Sequence, residues 1–337
     1  MLKRFIIAFA CLLPLTAANA VLEIEITQSA NIARPIAIVP FEWQGQGEAP
    51  LDVAQIVAAD LTRSGKFRPL DREDMLETPS QAEELDLKNW RVLGVNHVVI
   101  GRLLPGAGGQ SVIEFQVFDV YSGEQVLGYR VPVPADNPRM GAHHVSDLIY
   151  EELIGEPGAF RTRIAFINAT KENGKRRYSL MVADADGYNQ QAILHSNAPL
   201  MSPSWGPEGE RIAYVSFENE VAEVYIQNLR TGQRTLVTSR PGINGAPAFS
   251  PDGSRLALVL SSEPGNPDIY VKDLTSGHLS RLTHSQAIDT EPAWTANGET
   301  IVFTSGRGGG PQIYRMAANG SGDPRRVSYE GGYNASP

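Results

Sequence analysis

The second half of the sequence contains a motif that recurs every 44 or 45 residues. Each copy has a proline, an aromatic residue two positions later, a glycine turn and then an apolar run. Proline is tolerated where a strand begins, and Asp-Gly or Asn-Gly pairs favour tight turns. A unit of ~45 residues with four short strands has the size of one propeller blade. The prolines that mark the repeats are Pro203, Pro247, Pro292 and Pro337.

Several columns of the repeat carry the same type of residue in every copy. One blade cannot bury both of its faces alone, so such units stack around an axis. The sequence therefore predicts β-propeller repeats over residues 158–337, including a divergent copy near Arg163 with an inserted polar stretch, Lys171 to Arg177. A stacked β-solenoid is the alternative, although its coils are usually shorter. The aligned columns are Trp205, Phe249 and Trp294; Ile212, Leu256 and Ile301; Tyr214, Leu258 and Phe303.

Residues 158–337 hold about four such units, and Ser336-Pro337 opens a further one. Propellers have about four to eight blades, and a ring that ended inside a unit would expose unpaired strand edges. We therefore expect a C-terminally truncated propeller of six blades, with about 90 residues missing.

The first 20 residues have the three parts of a secretory signal peptide. Lys3 and Arg4 give a positive start, and Phe5–Leu15 is an apolar run of 11 residues, too short to span a bilayer. Ala18–Ala20 then has the small residues of a cleavage site. We expect cleavage after Ala20 and a periplasmic protein, with a buried N-terminal helix as the alternative.

Charge and cysteine content exclude several classes of function. The formal charge of −9 becomes −11 once Lys3 and Arg4 are removed, because residues 1–20 contain no acid. Such an acidic chain is not expected to bind nucleic acid, where cations on phosphates supply much of the affinity. Cys11 is the only cysteine and lies in the signal segment, so no disulfide is expected. No other apolar run reaches membrane length.

The first half has the pattern of a small α/β domain over residues 34–157. Apolar periodicity predicts one helix near its start, one at its end, and strands between them. Residues 21–33 form a separate N-terminal peptide, in which apolar and acidic residues alternate as in a strand. The predicted strands cover 35–41, 95–104, 111–121 and 125–133, and the predicted helices cover 51–64 and 145–153.

No motif of a known catalytic site is present, so we expect a non-enzymatic protein without a cofactor. The sequence lacks a Gly-x-Ser-x-Gly elbow, a phosphate-binding loop and a His-Glu-x-x-His zinc pair. His143 and His144 point in different directions on a helix, so we expect surface or helix-end histidines rather than metal ligands. Asp184–Gly187 resembles a calcium loop, but Val182 and Ile193 occupy positions that require acids. The aromatic columns are expected in blade cores rather than in a sugar-binding site.

A propeller without catalytic residues is expected to bind a partner at its channel mouth. The innermost strand of each blade lines the channel, so the residues before each repeat proline would face a ligand. Plain connecting loops are the alternative. The predicted mouth residues are Leu200, Met201, Asn244, Gly245, Ala246, Asp289, Thr290 and Glu291, with Asn334 in the incomplete unit.

Five stretches of the sequence resemble the TolB family, the periplasmic propeller proteins of the Tol-Pal envelope system. The resemblance covers nearly the whole chain after the signal segment. The Pro-Asp-Gly turns are shared by many propellers, whereas the N-terminal block and the linker before the first blade are specific. The stretches are Arg34–Phe41, Ser64–Phe67, Gly158–Ala165, Asp186–Asn189 and Asn244–Gly253.

The resemblance implies two partners and a cellular role. The mouth would bind the peptidoglycan-associated lipoprotein Pal, also at Ile243, where the family is expected to have a polar residue. The N-terminal peptide would bind TolA by strand addition, and Pal would alter that binding by favouring a docked peptide. Colicins would use the same surfaces, and the system would maintain the outer membrane and its constriction in cell division. The predicted TolA-binding residues are Val21, Leu22, Glu23, Ile24, Glu25, Ile26 and Thr27.

Two alternatives of other classes stay open from the sequence. A periplasmic enzyme that carries a propeller would need a cluster of acids or histidines inside the channel. A carbohydrate-binding propeller would bind peptidoglycan directly, without Pal.

Overall fold

The computed structural model describes residues 33–337, except residue 173 and residues 262–264. The predicted signal peptide and residues 21–32 of the predicted N-terminal peptide lie outside the described residues. The chain divides into two compact units between Val145 and Ser146. The boundary near residue 157 and the limits of the N-terminal peptide stay predictions. Within the described ranges, no helix has the length and apolar character needed to cross a bilayer.

The first unit is an α/β domain built on one mixed sheet, as the sequence predicts. Its strand order is β3-β1-β4-β5-β6, and the short β2 pairs with β4. β1 is parallel to β3 and β4, whereas β4, β5 and β6 are antiparallel. Short 3-10 helices cover Arg72–Asp74, Ala82–Glu84 and Ala107–Gly109. The elements are β1 (Arg34–Ile38), β2 (Glu42–Trp43), α1 (Val53–Arg63), β3 (Phe67–Pro69), α2 (Leu87–Val92), β4 (His97–Pro105), β5 (Ser111–Asp119), β6 (Gln125–Val133) and the start of α3 (Arg139–Ile154), which continues past Val145 into the second unit.

Helix α1 shows how local sequence sets an element of this domain. Asp52 lies at its N-cap, and its Oδ1 accepts a hydrogen bond from the Gln55 amide at 3.0 Å. This bond satisfies one of the amides that a helix leaves free in its first turn. The predicted apolar residues are buried beside β1 and β3. They are Val53, Ile56, Val57 and Leu61.

The same buried face of α1 carries an acid, Asp60, which is 1% exposed. Its Oδ2 lies 2.7 Å from Nδ1 of His143, and its Oδ1 lies 2.8 Å from Nη2 of Arg63. The sequence-based expectation of a surface or helix-end position for His143 is therefore wrong, because His143 is the fifth residue of α3 and is buried. The ring is fully buried because a carboxylate 83 positions earlier in the chain supplies its polar contact.

The second unit contains four successive antiparallel sheets in the described residues. The first has three strands, and the next three are four-stranded meanders. Each predicted repeat forms its own sheet, so the fold is an α/β domain followed by propeller blades, and the solenoid alternative is wrong. The strands are β7 (Arg163–Glu172), β8 (Lys175–Asp184) and β9 (Gln191–Ser196); β10 (Leu200–Trp205), β11 (Arg211–Ser216), β12 (Glu223–Asn228) and β13 (Arg234–Thr238); β14 (Asn244–Phe249), β15 (Arg255–Ser261), β16 (Pro267–Asp273) and β17 (Leu279–Arg281); β18 (Asp289–Trp294), β19 (Thr300–Ser305), β20 (Gln312–Ala317) and β21 (Arg325–Arg326).

The repeated apolar columns form the blade cores, as predicted. The second strand of each meander has two fully buried columns, since it lies between neighbouring strands and between neighbouring sheets. Trp294 shows how the aromatic column joins blades, because its indole Nε1 donates to the Ala248 carbonyl of the preceding blade at 2.9 Å. The buried columns are Ile212, Leu256 and Ile301, followed by Tyr214, Leu258 and Phe303.

An arginine ties each of the first three sheets to the turn of the next sheet. Arg255 illustrates the contact, because its guanidinium lies 4.6 Å from the Trp294 ring centre and donates to the Gly298 carbonyl at 2.9 Å. The third copy of the proline repeat has Thr300 at this position. Cation–π and hydrogen-bond contacts thus join consecutive blades. The other two links are Arg163 to Trp205 and Gly209, and Arg211 to Phe249 and Gly253.

Candidate functional site

The residues predicted at the channel mouth lie on β10, β14 and β18, the first strand of each meander. Each of these strands lies at the edge of its own sheet. β14 packs beside β10, and β18 packs beside β14. Successive first strands therefore lie next to one another, as expected for strands that surround the axis of a propeller.

Each first strand contains a bulge at the same place. The pairing register shifts between Met201 and Ser204 in β10, and at the equivalent positions of β14 and β18. At the centre of each bulge, the residue before the repeat proline has a positive φ, a region that residues other than glycine rarely adopt. The same angle recurs where the chain reaches Pro337. The residues are Ser202 (φ 48°), Ala246 (φ 42°), Glu291 (φ 54°) and Ser336 (φ 56°).

The recurrence of this strained angle indicates that the surrounding blades enforce it. A single residue in such a conformation costs about 1–3 kcal/mol, and a following proline restricts it further. Bulges change the direction of the neighbouring side chains, and strained backbone is concentrated at functional sites. The bulged segment before each proline is therefore the strongest candidate site in this unit.

The residue three positions before each proline is buried at this site. Leu200 is 3% exposed, Asn244 is 2% exposed and Asp289 is 0% exposed. Asn244 donates to the Arg240 carbonyl at 2.6 Å and accepts from the Thr238 hydroxyl at 3.0 Å. Asn244 thus holds the loop that leads into β14 and positions the bulged segment from the buried side.

Asp289 fills the same position with a charge. Its Oδ2 lies 2.7 Å from Nη2 of Arg307, whose guanidinium also lies 5.1 Å from the Tyr314 ring centre. In the next copy, Asn334 donates to Gln312 Oε1 at 2.9 Å and to the Glu330 carbonyl at 2.8 Å. The same repeat position is thus occupied by an apolar side chain in one blade, by an amide in another and by a charged side chain in a third.

Exposed apolar side chains flank the buried position. Met201 is 51% exposed, one residue after Leu200. Ile243 and Ile288 are 49% and 57% exposed, and both lie four residues before a repeat proline. Tyr333, at the same position before Pro337, is 73% exposed. Single exposed apolar residues are common, but the same column in successive blades indicates a repeated surface feature.

Sequence reasoning missed Ile288 and Tyr333. They would have been found by comparing the residues that lie four positions before the proline in each repeat. Two residues separate the buried position from the proline in each blade, and both are partly exposed. They are Gly245 and Ala246 in β14, and Thr290 and Glu291 in β18. Their backbone forms the bulge itself.

Glu291 connects one bulge to the next. Its Oε2 accepts hydrogen bonds from the Thr304 hydroxyl and from the Ser336 amide, both at 2.8 Å. Partial burial alone would raise the pKa of the Glu291 carboxyl, but these hydrogen bonds outweigh it and hold the pKa below its usual value. The carboxylate is therefore ionised at neutral pH and accepts both bonds.

Replacing Ala246 with glycine is expected to leave the protein as stable as before, or to stabilise it by up to about 1 kcal/mol. Glycine adopts the positive φ of this position freely, so the strain is relieved. Ala248 lies two residues later in the same strand, and its replacement with glycine is expected to destabilise by about 1 kcal/mol. Urea unfolding of both variants measures the difference, and equal losses would contradict a strained Ala246.

Comparison with known proteins finds two family models along the chain. The model described as the TolB amino-terminal domain matches residues 22–126. The model described as the TolB beta propeller domain matches residues 150–337.

Individual relatives agree with these models. The Tol-Pal system protein TolB of Thioalkalivibrio sulfidiphilus is 47% identical over 245 residues, which are 72% of this chain and 56% of the relative. That of Nitrosococcus oceani is 51% identical over 228 residues, 67% of this chain and 52% of the relative. The crystal structure of TolB from Acinetobacter baumannii superposes with a TM-score of 0.80 at 38% identity, covering 90% of this chain and 73% of that one. The chain spans about half the length of the curated relatives it matches.

Proposed function

This chain belongs to the TolB family, non-enzymatic envelope proteins of the Tol-Pal system, and from that premise we propose that it is a periplasmic adaptor. Its propeller mouth binds the lipoprotein Pal, and its N-terminal peptide binds TolA. The adaptor supports outer-membrane integrity and constriction during cell division. In this proposal residues 1–20 are the signal peptide, residues 21–33 the TolA-binding peptide, residues 34–157 the α/β domain and residues 158–337 the propeller.

The observation that carries the proposal is the repeated, strained bulge with exposed apolar side chains beside it. Ile243, Ile288 and Met201 offer apolar area to a partner, and such area contributes most when a partner removes it from water. The rigid strands beneath the bulges hold this area in place, which lowers the entropy lost on binding.

The predicted mouth residues divide into two roles. Met201, Ile243, Thr290 and Glu291 present side chains to the partner, and Gly245 and Ala246 present backbone. Leu200, Asn244 and Asp289 position the bulges from the buried side. Colicins that use the mouth would compete with Pal for the same residues.

The N-terminal peptide supplies the second site of the adaptor. Val21 to Thr27 alternates apolar and acidic residues, the pattern of a peptide that adds as a strand to a partner sheet. Its main chain would contribute affinity to TolA and its alternate side chains specificity. If Pal binding favours a docked peptide, the two partners are coupled by their different affinities for two states.

Replacing Ile243 with aspartate is expected to weaken Pal binding by about 30-fold or more, the effect of losing an interface hot spot. Leu236, which is 48% exposed on β13, the edge strand farthest from β10 in its own sheet, is the matched control. Its replacement with aspartate is expected to change binding less than threefold, which is about the scatter for a residue outside an interface. Isothermal titration of purified Pal measures both variants. Equal losses would contradict a Pal site at the mouth.

A chain that begins at Ala33 tests the second site separately. It is expected to bind Pal and to lose TolA, whereas the chain with residues 21–32 binds both. Titration of TolA with and without saturating Pal measures the coupling. An unchanged TolA affinity would contradict the coupling and leave the two-site adaptor intact.

A further inference from the structure

The strand order of the first unit ends in β3 on one side and in β6 on the other. β3 has three residues and ends in Pro69. β6 has nine residues, Gln125–Val133. Edge strands of natural proteins are usually short, charged or interrupted by proline, because their free amides and carbonyls attract other strands. β3 is protected in this way, whereas β6 is a long edge.

The outer side of β6 has free backbone groups. Its residues pair with β5, and in the described parts of the chain they make no other backbone hydrogen bond. The pairing register shifts beside Gln125, and Pro132 has no amide to donate. The stretch between these two points, Val126–Val131, is about 20 Å long at ~3.4 Å per residue. We call Val126–Val131 the open edge.

On one face of the sheet, a row of alternating charges crosses three strands and stops at the open edge. Arg102 of β4 lies beside Glu114 of β5, which lies beside Arg130 of β6. The Glu114 carboxylate pairs with the Arg102 guanidinium, and its Oε2 lies 3.3 Å from Nε of Arg130. Arg130 is exposed and is the only charged residue of β6. Because opposite charges on neighbouring strands stabilise a sheet, the next position in this row favours an acid.

On the opposite face, an aromatic row reaches the same edge. Phe115 of β5 lies beside Tyr129 of β6, and their ring centres are 6.4 Å apart with 27° between the planes. Phe115 is buried, whereas Tyr129 is 52% exposed. An apolar side chain on a further strand would cover the Tyr129 ring and remove apolar area from water. Since side chains alternate between the faces, an added strand would place apolar and acidic residues in turn along the open edge.

A cavity of about 480 Å³ lies on the charged face beside the open edge. β6 contributes Gln125, Gly128 and Arg130 to its lining, so the side chains of an added strand have room there. Glu83 also lines the cavity, but it lies on the segment of residues 80–83 rather than on the sheet. The row of charges on the sheet therefore still ends in a cation.

We propose that the open edge binds an extended segment of another protein as an added strand, in which apolar residues alternate with acidic ones. Main-chain hydrogen bonds to the open edge supply affinity, and the alternating side chains supply specificity. A second copy of this chain is a poorer match, because β6 contains no acid to place beside Arg130.

This inference goes beyond the proposed function, because the open edge shares no residue with the mouth or with the N-terminal peptide. Binding at the open edge can fail while Pal and TolA binding persist, and the reverse also holds. The experiment needs neither partner.

The test is fluorescence anisotropy of a short labelled peptide in which valine alternates with glutamate, titrated with the full chain. Two further versions of the peptide carry N-methyl groups on alternate amides, one in each of the two possible phases. An added strand uses the amides of only one of its sides. One version is therefore expected to bind at least about tenfold more weakly, and the other to keep most of the affinity. A peptide with lysine in place of glutamate is expected to bind at least about tenfold more weakly as well.

The side-chain contribution is tested by the variant R130Q. It is expected to bind the glutamate peptide about tenfold more weakly, the effect of losing one hydrogen bond to a charged group. The matched control is R68Q, which removes an exposed arginine from β3 at the other end of the strand order. It is expected to change the affinity less than about twofold. Thermal melts of both variants confirm that the comparison is made between folded proteins.

Four results would overturn strand addition at the open edge. They are no binding of the glutamate peptide, equal binding of the lysine peptide, equal losses for the two N-methylated peptides, and equal losses in the R130Q and R68Q variants. Two further results would assign the edge to another occupant and overturn the proposal as well. Tighter peptide binding by a chain that begins at Ala33 would identify residues 21–32 as that occupant. Sedimentation of the protein as a dimer that the peptide dissociates would identify a second copy.

Discussion

Replacing Arg307 with alanine is expected to lower the free energy of unfolding of the second unit by about 3–5 kcal/mol. Arg307 Nη2 lies 2.7 Å from Oδ2 of Asp289, whose side chain is fully buried. The other carboxylate oxygen is buried without a hydrogen-bond partner among the described residues. Without the guanidinium, a buried charge would lose its counter-ion, which costs more than the loss of an exposed ion pair.

Arg315 provides the control, because it lies nearby on β20 and its side chain is exposed. Its replacement with alanine is expected to change stability by no more than about 0.5 kcal/mol. Hydrogen exchange measured on peptides of each unit reports the two effects, since a chain with two compact units need not unfold in one step. A loss for the Arg307 variant as small as that for the Arg315 variant would contradict the buried-pair account.

The Arg307 variant also links stability to the proposed Pal site. Asp289 directly precedes Thr290 and Glu291, whose bulge belongs to the proposed mouth. Loosening Asp289 is therefore expected to weaken Pal binding even though Arg307 itself does not present a side chain to the partner. Arg307→Lys keeps the positive charge but loses the planar guanidinium, so its effect should be intermediate.

The blades could be predicted from the sequence because every repeat buries apolar side chains at the same positions. Ile212, Leu256 and Ile301 occupy one column, and each is fully buried in its own blade. A period of about 45 residues in such columns is visible without any structure. The α/β domain was predictable for a related reason, since its strands and helices show clear apolar periodicity.

The bulges could not be predicted, because the residues that adopt positive φ carry no glycine signal. Ser202, Ala246 and Glu291 are ordinary residues, and the blades force the angle on them. The links between blades were missed for a different reason. Arg211 and Arg255 are polar positions in the repeat, and only the packed structure shows that each contacts the next turn.

The residues predicted at the mouth show that the burial of a side chain could not be predicted from its place in the repeat. Leu200, Asn244 and Asp289 share a column, and their place before the repeat prolines on the innermost strands predicts side chains that face a ligand. The structure buries all three, because each blade satisfies the position with its own local contacts. The exposed column lies one residue earlier, where Ile243 and Ile288 are found.

His143 shows the same limit in the first unit, where the deciding contact is distant in sequence. Its replacement with alanine is expected to destabilise that unit by about 3 kcal/mol or more. The variant would leave a cavity and remove the contact between the buried ring and Asp60, whose other carboxylate oxygen lies 2.8 Å from Nη2 of Arg63. His144, adjacent and partly exposed, is the matched control, with an expected loss of about 1 kcal/mol.

Urea unfolding followed by hydrogen exchange in the first unit distinguishes the two histidine variants. The double variant with Asp60→Asn then measures the coupling, because removing both partners avoids a buried carboxylate without its imidazole. A strong pair predicts that the double variant loses less than the sum of the two single losses. Additive losses of unfolding free energy would contradict a strong contact between His143 and the Asp60 carboxylate. Equal losses in the His143 and His144 variants would contradict it as well. In either case the buried histidine would contribute packing alone.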